Sequence, residues 1–325
     1  MRLIVTGGSG FIGTNLVDHF VANGDQVLNI DILPPRNDAQ KGYWRKIDLL
    51  DADALKEAVR DFQPEVILHM AARTDLDGRT IDDYAANTGG VENLVAAVEG
   101  MTSLRRLIFA SSRLVCRIGY LPKDEFDCCP TTPYGESKVI GEKLVRDAIS
   151  RLPCPALIVR PTSIWGPWFD VPYKNFFLAI ARGQYVHPGT RQVLKSFGFI
   201  GNTIHELGRL MSAPAGDVAG KTFYLADYPP IDVAVFANSI QRCLGVKSVK
   251  TVPVGVLRPA AWIGDLLKMF GWSNPPLTSF RLDNLLTPMV HDLEPLRAVV
   301  GALPYSMEEG VRITVDWLRA QGEVS

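Results

Sequence analysis

Tyr134 and Lys138 form a pair whose types and spacing could do acid/base chemistry. Thr132 and Pro133 precede them as a candidate N-cap and first helical residue, so the pair is predicted to share a helix face at positions i and i+4. An ordinary tyrosine has a pKa of about 10 and is a poor base at neutral pH. A nearby ammonium group would stabilise the phenolate and lower that pKa. Because this spacing also occurs by chance in many helices, the hypothesis needs support from elsewhere in the chain.

A glycine-rich turn near the start of the chain is a candidate phosphate-binding element. The segment TGGSGFIG follows an apolar strand pattern, RLIV, and opens a helix pattern, and it contains Gly7, Gly10 and Gly13. Glycine permits positive φ and a close approach of the backbone to a ligand. The free N–H groups and the dipole of a helix N-terminus then favour an anion such as a pyrophosphate. The strand–turn–helix context makes this motif specific for a dinucleotide.

Asp31 ends the second predicted strand, QVLNID. A carboxylate at this place accepts hydrogen bonds from the ribose hydroxyls of adenosine and repels a 2′-phosphate. The nearest arginine that follows is Arg36. The sequence therefore predicts NAD rather than NADP, and a positively charged nicotinamide would add to the stabilisation of a Tyr134 phenolate.

The elements that must position these residues alternate along the first half of the chain. Apolar strand patterns such as PEVILHMAA, RRLIFASS and PALIVRPTSI are separated by helix patterns, among them DADALKEAVRDF with Asp51 as its N-cap. This alternation predicts an α/β fold with a doubly wound parallel sheet of the Rossmann type. We expect residues 1–165 to form that domain, completed by segments near 193–245, with GKTFYLAD (220–227) as one more strand. Residues 166–192 and 246–325 are expected to form a smaller, mostly helical substrate-binding lobe.

Composition excludes several classes of function. The 325 residues are 47% hydrophobic and 21% charged with a formal net charge of −1, which is typical of a globular protein and disfavours nucleic-acid binding. Strand-like MRLIV at the start leaves no room for a signal peptide, and no uncharged run is long enough to span a bilayer. Five cysteines without paired spacing or nearby histidines predict no metal site and a reducing, cytoplasmic location. The most apolar stretch, 252–272, is interrupted by Arg258, Asp265 and Lys268, which favours a packed amphipathic helix over contact with a membrane surface.

Several motifs occur together in a fixed order: TGGSGFIG, Asp31, DLLD (48–51), HMAAR (69–73), FASS (109–112), YGESK (134–138) and RPTSIWGP (160–167). Together they resemble the extended short-chain dehydrogenase/reductase family, the NAD-dependent epimerases and dehydratases. The resemblance is specific up to about Pro167 and looser beyond it. It implies that Tyr134 is the acid/base, that Lys138 lowers its pKa and binds the nicotinamide ribose, and that Ser112 hydrogen-bonds the reacting oxygen.

The resemblance also implies a set of cofactor and substrate contacts. The implied cofactor-binding residues are Gly7, Gly10, Phe11, Ile12, Gly13, Asp31, Asp48, Leu49, Ala71, Ala72, Arg73, Asn87, Tyr134, Lys138 and Pro161. The candidate substrate-binding residues are Ser163, Arg191 and Lys195. The last two are candidates for a diphosphate, with solvated surface charges as an equal alternative. Family members commonly form homodimers through the helix of the Tyr–Lys pair and the one before it, about 81–99, so a homodimer is expected.

Departures from the family pattern reduce the number of reactions that the chain is expected to catalyse. Family members that eliminate water carry Asp-Glu after the Ser or Thr, whereas this chain has Arg113 and Leu114. Leucine cannot act as a base, so 4,6-dehydration is disfavoured. Asn202 stands where the family usually has Asp, and Ser163 where it often has Asn.

Three functions remain open after these comparisons with the family pattern. The sequence predicts an NAD-dependent 4-epimerase of a UDP- or GDP-sugar that works through a transient 4-keto intermediate. The alternative is a 3β-hydroxysteroid-dehydrogenase-like alcohol dehydrogenase or ketone reductase. A redox-silent NAD-binding regulator is disfavoured, because Ser112, Tyr134 and Lys138 are all present.

Overall fold

The fold is built around a seven-stranded parallel sheet. A computed structural model describes residues 1–272, 275 and 277–325. The strands are β1 (Arg2–Thr6), β2 (Gln26–Asp31), β3 (Trp44–Lys46), β4 (Val66–His69), β5 (Arg106–Ala110), β6 (Ala156–Pro161), β7 (Ser163–Trp165), β8 (Val186–Pro188), β9 (Leu194–Lys195), β10 (Phe197–Phe199), β11 (Thr222–Leu225), β12 (Ile231–Asp232) and β13 (Lys250–Val252). The sheet has the order β11-β6-β5-β4-β1-β2-β3, and every pairing within it is parallel. The predicted doubly wound α/β fold is confirmed, and 220–227 supplies its edge strand β11.

Helices cover both faces of the sheet and form the C-terminal part. They are α1 (Phe11–Ala22), α2 (Ala52–Phe62), α3 (Ala85–Val98), α4 (Pro133–Ala148), α5 (Tyr173–Ala181), α6 (Ile200–Ser212), α7 (Ala215–Val218), α8 (Val233–Leu244), α9 (Val254–Met269), α10 (Ser279–Leu286), α11 (Glu294–Val300) and α12 (Met307–Ala320). Local chemistry sets several boundaries as expected: Asp51 caps α2, and Thr132 caps α4 with Pro133 as its first residue. The C-terminal part is helical, as predicted.

Two apolar layers hold the sheet between its helices. On one face Leu55 of α2, Leu94 of α3 and Val145 of α4 pack with sheet residues. On the other face the cluster includes Leu16 of α1 and Leu207 of α6. Because both faces are covered, the central strands are buried almost throughout.

A third cluster, rich in aromatic residues, forms the core of the C-terminal lobe. Trp165 contacts the rings of Phe177, Phe199 and Phe236 at centroid distances of 4.9–5.9 Å. The short pairs β7–β10, β9–β12 and β8–β13 lie around this core. Because β7 follows β6 after one residue, the core of the lobe connects directly to the carboxyl end of the sheet.

The helix α9 is packed on one side only. Leu257, Ala261 and Gly264 are buried, the first two against Leu282 of α10. The opposite side, called here the outer face of α9, is exposed and consists of Val256, Trp262, Ile263, Leu266, Met269 and Phe270. Its most exposed members are Met269 at 83% and Phe270 at 81%. The expectation of an amphipathic helix is wrong on this side, because the exposed side chains are apolar. Across the described ranges, no helix has the length and apolar content to cross a bilayer.

Of the two helices predicted to form a dimer interface, α3 buries its apolar residues within the chain. Val91, Leu94, Val95 and Val98 of α3 all belong to the apolar cluster on one face of the sheet. On α4, Val139 and Ile140 are half-buried. The apolar pattern of α3 is therefore explained by packing on the sheet, and the homodimer stays a prediction.

Candidate active site

The turn between β1 and α1 is packed too closely to admit a side chain at Gly7 or at Gly13. Gly7 has a φ of +70°, and a Cβ there would lie 2.6 Å from the backbone of Ala71. A Cβ on Gly13 would lie 2.1 Å from the Gly7 carbonyl oxygen. Glycine is thus required for the chain to fold back on itself at the head of α1. Phe11 and Ile12 follow as the first residues of α1, whose N-cap, Gly10, offers no side chain.

Asp31 holds this turn from the end of the neighbouring strand. Its Oδ2 accepts a hydrogen bond from the Ser9 amide and its Oδ1 from the Leu33 amide, both at 3.0 Å. Burial raises the pKa of Asp31, and these backbone bonds and the charge of Arg36 oppose the rise. Arg36 is itself engaged, because its Nε donates to the Ser9 carbonyl and its Nη1 to the Trp168 carbonyl.

The other predicted cofactor residues lie at the carboxyl edge of the sheet or on the helices beside it. Asp48 and Leu49 follow β3, Ala71, Ala72 and Arg73 follow β4, and Pro161 ends β6. Asn87 of α3 joins the segment after β4 to α4. Its Oδ1 accepts from the Arg73 amide at 2.8 Å, and its Nδ2 donates to the Arg73 carbonyl and to Ser137 Oγ, both at 3.0 Å.

This arrangement fits a dinucleotide. Gly7 and Gly13 leave no room for a Cβ, the helix behind the turn has no side-chain cap at its N-terminus, and a carboxylate lies at the adjacent strand end. Ligands of open parallel sheets bind in this crevice, outside the carboxyl ends of the strands.

Ser112, Tyr134 and Lys138 converge where β5 ends. Ser112 lies just beyond that strand, and its Oγ accepts from the Leu114 amide at 3.1 Å. Lys138 is buried, and its Nζ donates to the carbonyl of Ala110 at 2.7 Å. Tyr134 is buried one helical turn before Lys138 on α4. The three side chains predicted for catalysis therefore lie around the same strand end.

The electrostatics of Tyr134 differ from the sequence-based expectation. Burial raises its pKa, while a hydrogen bond with Ser112 and the charge of Arg113 act in the opposite direction. Burial also lowers the pKa of Lys138 to about 8, opposed by the charge of Glu142. Lys138 is held by a carbonyl rather than by the phenol, so this structure shows no depression of the Tyr134 pKa by Lys138.

Sequence reasoning missed one aromatic neighbour of this centre, Tyr84, which contacts the predicted residue Arg73. The ring of Tyr84 lies 5.9 Å from that of Tyr134, and its hydroxyl donates to the Asp75 carbonyl at 2.8 Å. The guanidinium of Arg73 lies over the Tyr84 ring at 5.1 Å. Tyr84 belongs to the turn before α3 and lies outside any recognisable motif. The one signal in the sequence for a role at the site is an aromatic residue in a segment of mostly small and polar residues.

The three candidate substrate residues are found in different environments. Ser163 is buried at the start of β7, and Arg191 is exposed before β9. Lys195 is buried, and its Nζ lies 2.5 Å from the carbonyl oxygen and 3.2 Å from Oδ1 of Asn284 on α10. Burial and the charge of Arg113 lower the pKa of Lys195 to about 8. Arg191 therefore contacts solvent, while Lys195 faces the interior.

Arg113 is a further polar residue beside the catalytic group. It follows Ser112 in a short 3-10 turn, Arg113–Val115, and its Nη1 lies 3.0 Å from the Met289 sulfur. His291 lies two residues beyond Met289, stacked on Tyr224 with ring centroids 4.2 Å apart. Asn284, Met289 and His291 come from a segment that carries no motif, so sequence reasoning could not place them here.

The chain is similar to known proteins over most of its length. The sequence model of the NAD dependent epimerase/dehydratase family matches residues 3–221. The chain is 29% identical to a 2-alkyl-3-oxoalkanoate reductase of Stenotrophomonas maltophilia, over 96% of this chain and 98% of that protein. It is 28% identical to a 3 beta-hydroxysteroid dehydrogenase/Delta 5-->4-isomerase of Mycobacterium tuberculosis, over 83% of this chain and 75% of that one.

Other relatives are epimerases. The chain is 24% identical to an Escherichia coli O157:H7 N-acetyl-alpha-D-glucosaminyl-diphospho-ditrans,octacis-undecaprenol 4-epimerase, over 97% of this chain and 95% of that protein. Among solved structures it is similar to a UDP-glucose 4-epimerase of Thermotoga maritima, with a TM-score of 0.76, 19% identity and 99% coverage of both chains. A UDP-glucuronic acid 4-epimerase of Bacillus cereus, solved with NAD, gives a TM-score of 0.75 at 18% identity, covering 98% of this chain and 96% of that one. At these identities the structures show a common fold.

Proposed function

The chain belongs to the NAD dependent epimerase/dehydratase family, and on that premise we propose that it is an NAD-dependent oxidoreductase that interconverts a secondary alcohol and a ketone. NAD is the cofactor, and when bound it supplies the hydride acceptor or donor. In the proposed assignment Gly7, Gly10, Phe11, Ile12 and Gly13 hold its pyrophosphate and Asp31 its adenosine ribose. Tyr134 moves the proton of the reacting hydroxyl, and Ser112 fixes its oxygen by a hydrogen bond.

Lys138 has a defined task in this scheme. Its buried ammonium lies at the Ala110 carbonyl, on the helix face that also carries Tyr134. A positive charge there favours the phenolate over the phenol. Because its pKa is lowered to about 8, we expect this assistance to decline as the pH rises above that value.

One observation favours net oxidoreduction over epimerisation. Lys195, one of the two residues predicted to bind a diphosphate, is buried, and Arg191, the other, is exposed. The two side chains therefore do not converge, as a clamp for a nucleotide diphosphate requires. A near-full-length relative named as a reductase of 2-alkyl-3-oxoalkanoates is in accord with this proposal.

The second candidate is the nucleotide-sugar 4-epimerase predicted from the sequence. It is favoured by the completeness of the Ser112, Tyr134 and Lys138 set, since a 4-epimerase needs no further base. Movement of Asn284 would free Lys195 for a phosphate as a point charge. In both candidates Arg113 and Leu114 occupy the position of the dehydratase acid pair, so dehydration is not proposed.

The test is a turnover assay that follows NADH with purified protein. We expect steady NADH formation with secondary alcohols, and oxidation of added NADH with ketones. Conversion of a UDP- or GDP-sugar to its 4-epimer without net NADH would support the second candidate instead. NAD binding with no turnover of either kind would contradict both and support a regulator.

The Tyr134→Phe variant tests the chemical role of the phenol. Because it removes only the hydroxyl, we expect a loss of activity of roughly a hundredfold or more, the scale of a general acid/base. The Kd of NAD should change by less than roughly threefold. The control is Tyr43→Phe, at an exposed position, which should retain full activity.

A further inference from the structure

The turn that carries Arg113 lies against the helix that carries Tyr134. A Cβ on Gly135, in the first turn of α4, would lie 2.3 Å from the Leu114 carbonyl oxygen. Arg113 therefore follows Ser112 in a turn that contacts this helix. Its charge acts on Tyr134 and Lys195 alike, so it lies within electrostatic reach of both.

Arg113 and Lys195 are joined through one backbone segment. The thioether contacted by Arg113 belongs to Met289. The Met289 amide donates to the Leu194 carbonyl at 2.9 Å, and its own carbonyl accepts from the Ser196 amide at 2.8 Å. Met289 thus pairs with the strand that contains Lys195, which brings the two cations to the same wall of the site.

Neither cation has an acidic partner within the described ranges. The ion pairs found there include neither Arg113 nor Lys195. Lys195 is only 5% exposed, and its contacts are the neutral oxygens of Asn284. Buried charge without a counter-ion is unfavourable. A bound anion would remove this cost.

His291 adds an unused polar group to the same wall. It is buried, and both of its ring nitrogens lack a hydrogen-bond partner. Its amide donates to Ser196 Oγ at 3.0 Å, next to Lys195. Burial and the charges of Arg113 and Arg160 lower its pKa to about 4. His291 is therefore neutral at pH 7, and one ring nitrogen is a donor available to an anion.

We propose that Arg113 and Lys195 form an anion-binding pocket. It selects a substrate in which one carbon atom separates the carboxylate from the reacting carbon, that is, a 3-hydroxy or 3-oxo acid. This inference rests on the proposed oxidoreductase function. Because Arg113 follows Ser112 in the chain and its charge acts on Tyr134, we expect the anion that it binds to lie close to the reacting carbon. A planar guanidinium matches a carboxylate in a bidentate manner. A nucleotide diphosphate would lie a sugar ring away from the reacting carbon of a 4-epimerase.

The experiment compares a charged and a neutral form of one substrate. Each enantiomer of 3-hydroxydecanoate and its methyl ester would be assayed with NAD, and binding measured by calorimetry. We expect Arg113→Gln to raise the KM and Kd of the acid roughly 10- to 100-fold, the scale of a lost charge-assisted hydrogen bond. The values for the ester should change less than roughly threefold, and Arg113→Lys should restore part of the affinity for the acid. The control is Arg117→Gln, an exposed arginine nearby in the chain.

The outcomes separate this pocket from the proposed function. The anion-binding pocket would be overturned if the ester is turned over and the acid is not preferred to it, or if Arg113→Gln affects the acid and the ester equally. Either result would leave the proposed oxidoreductase function standing. Absence of turnover with acid, ester and 2-decanol alike would count against the oxidoreductase itself. Should Arg113→Gln not fold, Lys195→Gln provides the same comparison. If these variants impair binding of UDP-glucose but not of the acid, the carboxylate assignment is wrong.

Discussion

Glu142 and Arg160 form an ion pair from which solvent is almost completely excluded. Arg160 Nε donates to Oε1 at 2.8 Å and its Nη2 to Oε2 at 2.7 Å, and Arg146 approaches the same carboxylate at 2.9 Å. Burial of Glu142 raises its pKa, but the hydrogen bonds and charges of the arginines prevail, so the pKa lies below its ordinary value. The pair joins α4, which carries Tyr134 and Lys138, to β6.

Removing the Glu142 charge should therefore destabilise the fold. Glu142→Gln leaves the Arg160 guanidinium buried without its counter-ion, and we expect a loss of about 3–5 kcal/mol in the free energy of unfolding. Urea unfolding followed by circular dichroism measures this loss. Glu136→Gln, at an exposed position in the first turn of the same helix, should cost less than about 0.5 kcal/mol. Equal stability of the two variants would contradict the prediction.

At the scale of elements, the turn between β1 and α1 is constrained by contacts within the turn and with the neighbouring strand end. We expect Gly13→Ala to weaken NAD binding by roughly tenfold or more, because its Cβ would lie 2.1 Å from the Gly7 oxygen and the backbone must shift. Calorimetric titration with NAD measures the change.

A matched glycine substitution separates this effect from helix propensity. A Cβ on Gly208 in α6 would meet no atom within 4 Å. Gly208→Ala should therefore leave NAD binding unchanged and stabilise the helix by about 0.5–1 kcal/mol. If both variants bind NAD equally, the close packing of the turn is not what determines binding.

The outer face of α9 should dominate the interaction of the protein with apolar media. Its six side chains expose more contiguous apolar surface than single scattered residues would. We expect the double variant Ile263→Ser/Phe270→Ser to elute markedly earlier in hydrophobic-interaction chromatography, with the Tm nearly unchanged. Val235→Ser, at an exposed apolar position on α8, is the comparison and should shift elution less. Unaltered elution of the double variant would show that this face is covered in solution.

These elements differ in how far the sequence predicts them. The turn, the Asp31 strand end and the start of α4 depend on residues near one another in the chain, so glycine, N-cap and strand patterns indicate them directly. The wall formed by Arg113, Lys195 and Asn284 brings together distant segments, and no periodicity encodes that contact. The exposed apolar residues on the outer face of α9 were not predicted. The composition of a helix that is apolar on two sides is the same as that of a helix whose apolar residues are all packed.

At the scale of the whole molecule, buried carboxylates connect the sheet, the lobe and the C-terminal segment. Asp227 follows β11 and accepts from Asn202 Nδ2 at 2.8 Å, and Asn202 also bonds the backbone of Tyr305. Burial raises the pKa of Asp227 to about 7, against the effect of these hydrogen bonds. Glu206 is buried nearby, and burial and the charge of Asp227 raise its pKa as well.

This cluster should contribute stability in mild acid that is lost toward neutral pH. A carboxyl whose pKa is raised in the folded state binds more protons there than in the unfolded chain. Its contribution to stability is therefore fully present below the unfolded value of 3.8 and is lost as the pH rises to about 7. Buried His69 and His291, whose pKa values are lowered to about 3 and about 4, act in the opposite direction. We therefore expect the Tm of the wild type to fall between pH 5.5 and 7.5 relative to the Tm of Asp227→Asn, as measured by scanning calorimetry.

Asp227→Asn provides the control for this pH dependence. It retains the shape of the side chain without a titrating group, so the contribution of Asp227 should be absent from its Tm. Asp217→Asn, at an exposed site on α7, should follow the wild type. A wild-type Tm that keeps a constant offset from that of Asp227→Asn over this range would contradict the assignment.

The edge strand β11 pairs with β6, but β7–β10 and α5–α7 separate the two strands along the chain. On the ribosome, β6 therefore emerges well before its neighbour. Until then it presents an unpaired edge and an apolar face that lacks Leu207, Phe223 and Leu225. Such edges promote association between nascent chains. The NAD-binding half should thus become able to bind NAD only late in synthesis, and a fragment that ends at residue 165 should aggregate. A fragment of this length that stays in solution and binds NAD would contradict this order of events.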